Sequence, residues 1–373
     1  MGVSLPRFGS SWPVRLARSR PEPATGDSDR GLQGYNTQVL APNSIAINLE
    51  PTFRCNLSCE MCPRFSSVDP HLDMSMETYA RIVEAMDLAH TVDFTGWGEP
   101  MLHPHIYDML RTARQKGCVT TMTSNGTVLN AKNAARIIEA GLNRLTVSVD
   151  GMKAETFEAV RPGASFEKVT HNLRELSRQV GARGHDLALG IAFTIQEANA
   201  AELALLVPWL THVGAKTLHL KHLNVVSTAQ DWDRSFLKYR LSPVHSDGSA
   251  LARLEASIYR VLEAAERAGI EVLMHSQFPM NSGLTPRHCL AAPLDAVYFS
   301  YEGRVAPCCY FGHHVASYFD GVQYPPSALF YGDIRQQSLV EIWESAPFQG
   351  FRRGFQSGDY PDECKSCYLL YGK

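Results

Sequence analysis

From residue 43 onward the chain alternates between two hydrophobic periods. Short β-branched runs ("SIAINLE", "TVDFTG", "VTTMTS", "RLTVSVD", "LALGIAFTI", "KTLHLKHL" and "EVLMHS") carry the pattern of strands. Between them "METYARIVEAMDLA", "HIYDMLRTARQKG" and "NAARIIEAG" carry the 3.6-residue spacing of amphipathic helices. Gly117, Gly141 and Gly214 stand where helical patterns stop just before a strand. Repeated strand-then-helix units predict a parallel sheet, here an α/β fold of the partial (βα)6 TIM-barrel type over residues 43–285. Functional residues of such a barrel sit at the carboxyl ends of its strands.

Three stretches depart from this beat. Residues 1–42 are rich in Pro, Gly, Ser and Arg without a sustained period, which predicts a mostly unstructured segment. Residues 225–248, "VVSTAQDWDRSFLKYRLSPVHSDG", read as a surface loop over the site or as a plain insertion. From residue 286 short strands, turns and one helix, "SLVEIWESAPFQGFRRGF", predict a small second domain over 286–373.

Composition narrows the function. A net charge of −3 with no isolated basic run argues against a nucleic-acid partner, and no apolar run reaches the length of a bilayer span. The first 31 residues hold five arginines and no acid before Glu22, yet lack the apolar core of a secretory signal. They read as an organellar transit peptide or as an irregular start. The nine cysteines fall into two groups with Cys118 apart, the spacing of metal ligands in a reducing, cytoplasmic compartment rather than of disulfides.

The first group, "CNLSCEMC", has the spacing C-x3-C-x2-C at Cys55, Cys59 and Cys62, directly after the first strand. Three thiolates leave one iron of a [4Fe-4S] cluster without a protein ligand. A zinc knuckle borrowing a fourth ligand is the competing reading. The triplet resembles the radical SAM superfamily, in which the amino and carboxylate groups of S-adenosylmethionine (SAM) chelate the open iron. The resemblance implies reductive cleavage of SAM to a 5'-deoxyadenosyl radical that takes a hydrogen atom from substrate.

One strand later "TGWGEP" resembles the family's GGEP motif, with Trp97 as a departure. Gly96 and Gly98 allow close backbone approach to a ligand, and Glu99 is an acceptor for an ammonium, by resemblance that of SAM. "TMTSNGTVL" and "TVSVDG" resemble the next two strand ends, which places Ser148 near the ribose and methionine part of SAM. Arg161 in "EAVRPGASFEKV" resembles the residue that pairs with the SAM carboxylate, for which a guanidinium fork is suited. Simpler readings stand beside these: Asn125 and Gly126 as a turn, and Asp150 as the cap of a helix starting near Lys153.

The second group runs C-x13-G-x4-C from Cys289 through Gly303 to Cys308, then "CKSC" at Cys364 and Cys367. It resembles the SPASM auxiliary-cluster domain or its shorter twitch form, with four ligands for one complete [4Fe-4S] cluster instead of seven for two. A structural zinc site competes, and Cys309 competes with Cys308 as ligand. A cluster with every iron capped is suited to passing electrons.

His219 and Lys221 share one face of "TLHLKHL" and His222 takes the other, while His275 ends the next strand. Lys221, His222 and His275 are the candidate catalytic side chains at the barrel mouth. His313 and His314 have no decisive spacing. The expected cofactors are SAM and two [4Fe-4S] clusters, and the expected partner is an electron donor such as flavodoxin or ferredoxin. "MCPR" at residues 61–64 and the four-cysteine domain look most like aminocyclitol and aminoglycoside alcohol dehydrogenases, which implies a small sugar-like substrate oxidised to a ketone. A peptide maturase is the main alternative. A sugar epimerase, with Cys309 or Cys118 as hydrogen donor, is another.

Overall fold

The computed structural model describes residues 40–223, 225–241, 248–275, 289, 291–319 and 321–371. All but the last three residues of the 1–42 segment lie outside the described residues. The predicted beat is realised as β1 (Ile45–Leu49), α1 (Met76–Val83), β2 (Ala89–Phe94), α2 (Ile106–Gln115), β3 (Val119–Ser124), α3 (Ala131–Glu139) and β4 (Arg144–Ser148). It continues through α4 (Ala154–Val160), α5 (Phe166–Arg183), β5 (Ala188–Ile195), α6 (Leu206–Val213) and β6 (Thr217–His222). Then come α7 (Ala229–Arg234), α8 (Leu237–Leu241), α9 (Gly248–Ala268) and β7 (Glu271–Met274).

Strands β1 to β7 pair in chain order and all in parallel, one for each of the seven runs that the pattern marks as strands. Gly117, Gly141 and Gly214 have φ of 84°, 79° and 75°, the left-handed conformation that stops a helix without a Cβ penalty. The residues facing the helices are mostly apolar: Ile45, Ile47 and Leu49 of β1, Leu145 and Val147 of β4, Leu218 and Leu220 of β6 are fully buried. The opposite face is polar. A Cβ at Gly190 would lie 3.3 Å from His219 Nε2 and 3.5 Å from Thr146 Oγ1, so neighbouring strands turn their polar positions into one lumen. Asp93, Thr121, Thr146, Ser148 and Lys221 share that face by alternation.

The C-terminal part is built from β8 (Ala296–Phe299), β9 (Arg304–Ala306), β10 (Val315–Phe319), β11 (Val322–Ser327), β12 (Gly332–Asp333), α10 (Leu339–Glu344), α11 (Ala346–Ser357) and α12 (Asp362–Lys365). It is continuous with the barrel: β8 runs parallel to β1, and the sheet order is β12-β9-β8-β1 through β7, which leaves the barrel open. The single helix expected over 338–355 is two. Ser345 leaves the helical region with ψ of 142°, and Pro347 opens the next helix, where its missing N–H costs nothing.

The 225–248 stretch is not a plain surface loop in its described part. A Thr228–Asp231 capping box starts α7, and Trp232 buries its ring 5.9 Å from Tyr368 and 6.3 Å from Tyr318. The segment therefore braces the barrel against the C-terminal domain. Residues 242–247 lie outside the described residues.

Candidate active site

Every predicted site residue from Cys55 to Arg161, and Lys221, lies at or beyond the carboxyl end of a strand, and the contacts among them are specific. The cysteine loop is tied down first. Ser58 and Glu60 donate backbone N–H groups to Pro162 and Val160 carbonyls at 3.1 Å. Arg64 of "MCPR" is buried and donates to Leu57 O at 2.9 Å, so it braces the loop and does not face a substrate. Asn125 does more than turn the chain: its Nδ2 donates to Asn56 Oδ1 at 3.0 Å and lies 3.8 Å from Cys55 Sγ.

Arg161 is pinned by Asp150. The guanidinium Nε and Nη2 donate to Asp150 Oδ2 at 2.9 and 2.5 Å, Nη1 lies 3.6 Å from Cys59 Sγ, and Asp150 Oδ1 accepts from Thr194 N at 2.6 Å. Asp150 is thus the partner of a buried cation and not a helix cap; Lys153 holds the cap position of α4. Burial pushes the Cys59 thiol up to about 11, although Arg161 pulls the other way.

The GWGEP loop also makes specific contacts within the protein. Glu99 is fully buried, with Oε1 accepting from Met101 N at 3.1 Å and Ser124 Oγ at 2.8 Å, and Oε2 from Asn125 N at 2.7 Å. Its carboxylate ties the ends of β2 and β3 together through these three protein donors. A Cβ at Gly98 would fall on the carbonyls of Thr52 and Arg54, the latter at 2.6 Å, and one at Gly96 would fall on the Glu50 side chain. The two glycines permit close approach of the cysteine loop and of Glu50, with Glu99 N donating to Arg54 O at 2.8 Å.

Four cysteines of the second group, Cys289, Cys308, Cys364 and Cys367, line one apolar pocket. Cys309 does not line it. Adjacent residues on the same turn thus face two ways, with Cys308 beside the other three cysteines. Cys309 looks toward the barrel: Trp97 donates to its sulfur, and Glu50, Lys221 and Asp93 are its charged neighbours, with burial pushing the thiol up to about 11. Cys118, by contrast, is buried, its thiol 3.5 Å from Ala89 O, and so is removed from any substrate.

The histidines divide. His222 lies on the helix-facing side of β6, buried and turned away from the lumen, so it is not the active-site residue expected. His275 follows β7 and stacks on His219, Nε2 to Nδ1 at 2.9 Å and ring centroids at 5.1 Å. Burial, with help from Lys221 and Arg144, holds His219 down at about 4, so it is neutral. Lys221 faces the lumen, and its side chain makes no hydrogen bond or ion pair among the described residues; burial lowers its pKa against the pull of Asp150. His313 has a place that sequence spacing did not show. It is buried between Glu50 Oε2 at 2.8 Å and Asp69 Oδ2 at 3.2 Å. Asp93 was also missed: Thr121 and Thr95 donate to its Oδ1 at 2.6 and 2.8 Å, and burial raises its pKa.

The two thiol sets suit polynuclear iron. Among the described residues no three His, Cys, Asp or Glu side chains gather around a single ion. Thiols set around a volume, three in one place and four in another, match the corners of cubane clusters better than a zinc tetrahedron.

An open parallel barrel with three thiols in the loop at its mouth and a second thiol group in the C-terminal part defines a protein with two cysteine-lined centres. Comparison with known proteins identifies two domains: residues 49–204 match the radical SAM superfamily, and residues 289–368 match the SPASM iron-sulfur cluster-binding domain. The chain carries both domains; the first binds SAM and a [4Fe-4S] cluster, and the second binds auxiliary iron-sulfur. It is 25% identical over 329 residues to a tungsten-containing aldehyde ferredoxin oxidoreductase cofactor-modifying protein of Pyrococcus furiosus, 86% of each chain. It is 26% identical over 343 residues to an AdoMet-dependent heme synthase of Methanosarcina barkeri, 88% of each. A PqqA peptide cyclase of Granulibacter bethesdensis is 23% identical over 325 residues, 85% of this chain and 78% of that one. Among solved structures, Streptococcus suis SuiB bound to precursor peptide SuiA superposes with a TM-score of 0.60 at 15% identity, over 89% of this chain and 71% of that one. AdoMet-bound anSMEcpe gives 0.59 at 16%, over 87% and 88%. No helix among the described residues is long and apolar enough to cross a membrane.

Proposed function

We propose that this chain is a radical SAM enzyme that oxidatively modifies a peptide, with Cys55, Cys59 and Cys62 holding the SAM-binding cluster and Cys289, Cys308, Cys364 and Cys367 the auxiliary one. The carrying observation is the presence of a three-thiol loop at the barrel mouth together with an apolar four-thiol pocket in the C-terminal part. When bound, the first centre supplies a 5'-deoxyadenosyl radical that removes a hydrogen atom, and the second accepts one electron. The remaining proton needs an acceptor in the lumen. Asp93 fits, because two threonine hydroxyls occupy Oδ1 and leave Oδ2 free of described bonds. Lys221 offers an unpaired ammonium to a carboxylate of the substrate. Arg161 and Asp150 hold the Cys59 side of the loop, and Ser148 faces the lumen where SAM would lie.

The peptide reading rests on the names of the PqqA peptide cyclase and of SuiB with its precursor peptide. These favour it over the aminocyclitol alcohol that "MCPR" suggested, since Arg64 braces the loop. A second reading, modification of a cofactor, is favoured by the heme synthase and the cofactor-modifying protein. The test incubates anaerobically reconstituted, reduced protein and SAM with three panels: acidic peptides, porphyrins bearing carboxylates, and amino sugars. Mass spectrometry follows products two mass units lighter, and chromatography follows 5'-deoxyadenosine. Turnover of amino sugars alone would overturn the peptide reading, and turnover of porphyrins alone would replace it with the second.

A further inference from the structure

The sequence marks Trp97 as a departure from the GGEP pattern, and no spacing assigns His313. The fold joins the two. His313 leaves the turn after Cys309 and inserts its ring into the barrel mouth, 4.3 Å from the Phe53 ring and 5.0 Å from that of Trp97. Its nitrogens face two carboxylates, Glu50 at the end of β1 and Asp69 in the cysteine loop. The Glu50 contact is an ion pair, not a linear hydrogen bond. A neutral imidazole has one N–H and would leave one carboxylate facing a lone pair, so this arrangement calls for the imidazolium. Burial would lower the pKa of His313, but Glu50 and Asp69 together outweigh it and hold it up at about 9. The same bonds hold the Asp69 carboxyl well below its usual range.

Glu50 has a second task. Its Oε1 accepts the backbone N–H of Trp97 at 2.8 Å, at the centre of the GWGEP loop, and Gly96 leaves room for its side chain. Asp69 likewise accepts from His314 N at 2.8 Å, and Val68 N donates to His314 O at 3.3 Å. We propose that His313 is the positioning residue through which the auxiliary domain sets the GWGEP loop and the cysteine loop in the geometry that binds SAM. Loss of its charge would leave Glu50 buried without a counter-charge beside the loop whose backbone it holds. The inference concerns SAM alone and is independent of the substrate reading.

The test uses the full chain, reconstituted anaerobically, with three measurements. Iron content shows whether both centres form. Equilibrium binding of SAM measures the site without turnover. Fluorescence titration between pH 7 and 10, taken as the difference from W97F, reports the ring beside His313. The groups around His313 are Glu50, Asp69, Tyr298 with its hydroxyl 3.1 Å from Nε2, Tyr301 and His314, with Cys309 sharing Glu50. H313F keeps the ring stack and removes the charge; it should retain its iron, bind SAM about ten-fold more weakly, and lose a titration that the wild type shows near pH 9. D69N keeps the ring and one carboxylate. Its titration should move to lower pH, because the imidazolium loses one of its two anions. SAM affinity within two-fold of wild type in an iron-replete H313F would overturn the proposal. So would a D69N midpoint unchanged from wild type, which remains a valid test if H313F does not fold.

Discussion

Replacing Glu99 with Gln separates two accounts of the GWGEP motif. If Glu99 held the SAM ammonium directly, E99Q would weaken SAM binding and leave the apoprotein as stable as before. The structure points elsewhere, because the carboxylate already accepts three bonds from Met101 N, Ser124 Oγ and Asn125 N inside a fully buried pocket. An amide can keep its oxygen at the Oε1 position, but then its NH2 faces the Asn125 N–H, donor against donor. One charge-assisted bond is lost and one backbone donor is left unsatisfied; burial of the carboxylate, which raises its pKa, offsets part of this. The net cost should be about 2 to 4 kcal/mol. For a unit of this size that lowers Tm by roughly 5 to 10 °C. The assay is thermal unfolding of apo wild type and E99Q, paired with binding of SAM and of its analogue lacking the amino group. Both ligands should lose affinity by the same factor. A Tm within 2 °C of wild type, together with a loss confined to the ligand that carries the ammonium, would refute the reasoning.

Other consequences are equally direct. G98A forces a Cβ onto the Thr52 and Arg54 carbonyls, so it should abolish SAM binding by displacing the cysteine loop, while circular dichroism still reports the barrel. Reconstitution should give about eight irons per chain, and the Cys55, Cys59, Cys62 triple alanine variant about four; C309A should keep all eight, because Cys309 does not line the four-cysteine cavity, and C308A should not. Stability should fall between pH 6.5 and 4 through His219. Its folded pKa lies below its unfolded value, so its contribution is present above 6.5 and is lost as the unfolded chain takes up a proton; H219Q should flatten that slope by about 3 kcal/mol. K221M should leave SAM binding within two-fold and raise KM for an acidic peptide substrate more than it changes kcat, whereas equal loss on neutral peptides would remove the carboxylate role.

The order of strands and helices and the cysteine spacings follow from local chemistry, and a single sequence carries them. Alternation of period two makes β1 to β7 legible because one face must meet helices and the other does not. Glycines 117, 141 and 214 mark the stops because only glycine takes a positive φ without strain. Three cysteines in eight residues announce one ligand set, and the Gly-x4-Cys spacing points to Cys308, which lines the same pocket as the other three cysteines. Tertiary structure alone decided what the remaining polar groups do. Glu99 and Gly98 read in sequence as ligand contacts, and the fold gives them protein neighbours as well, which come from other strand ends. Asp150 looked like a cap and is the counter-ion of Arg161, eleven residues away across a helix. His222 went to the helix side as its position in the strand demands, while His313 meets Asp69 across 244 residues of chain. Periodicity reports which face a residue takes within its own element. Which distant charge it meets there is set by how loops fold over the barrel mouth, where burial makes every unpaired ion costly and so selects the pairs.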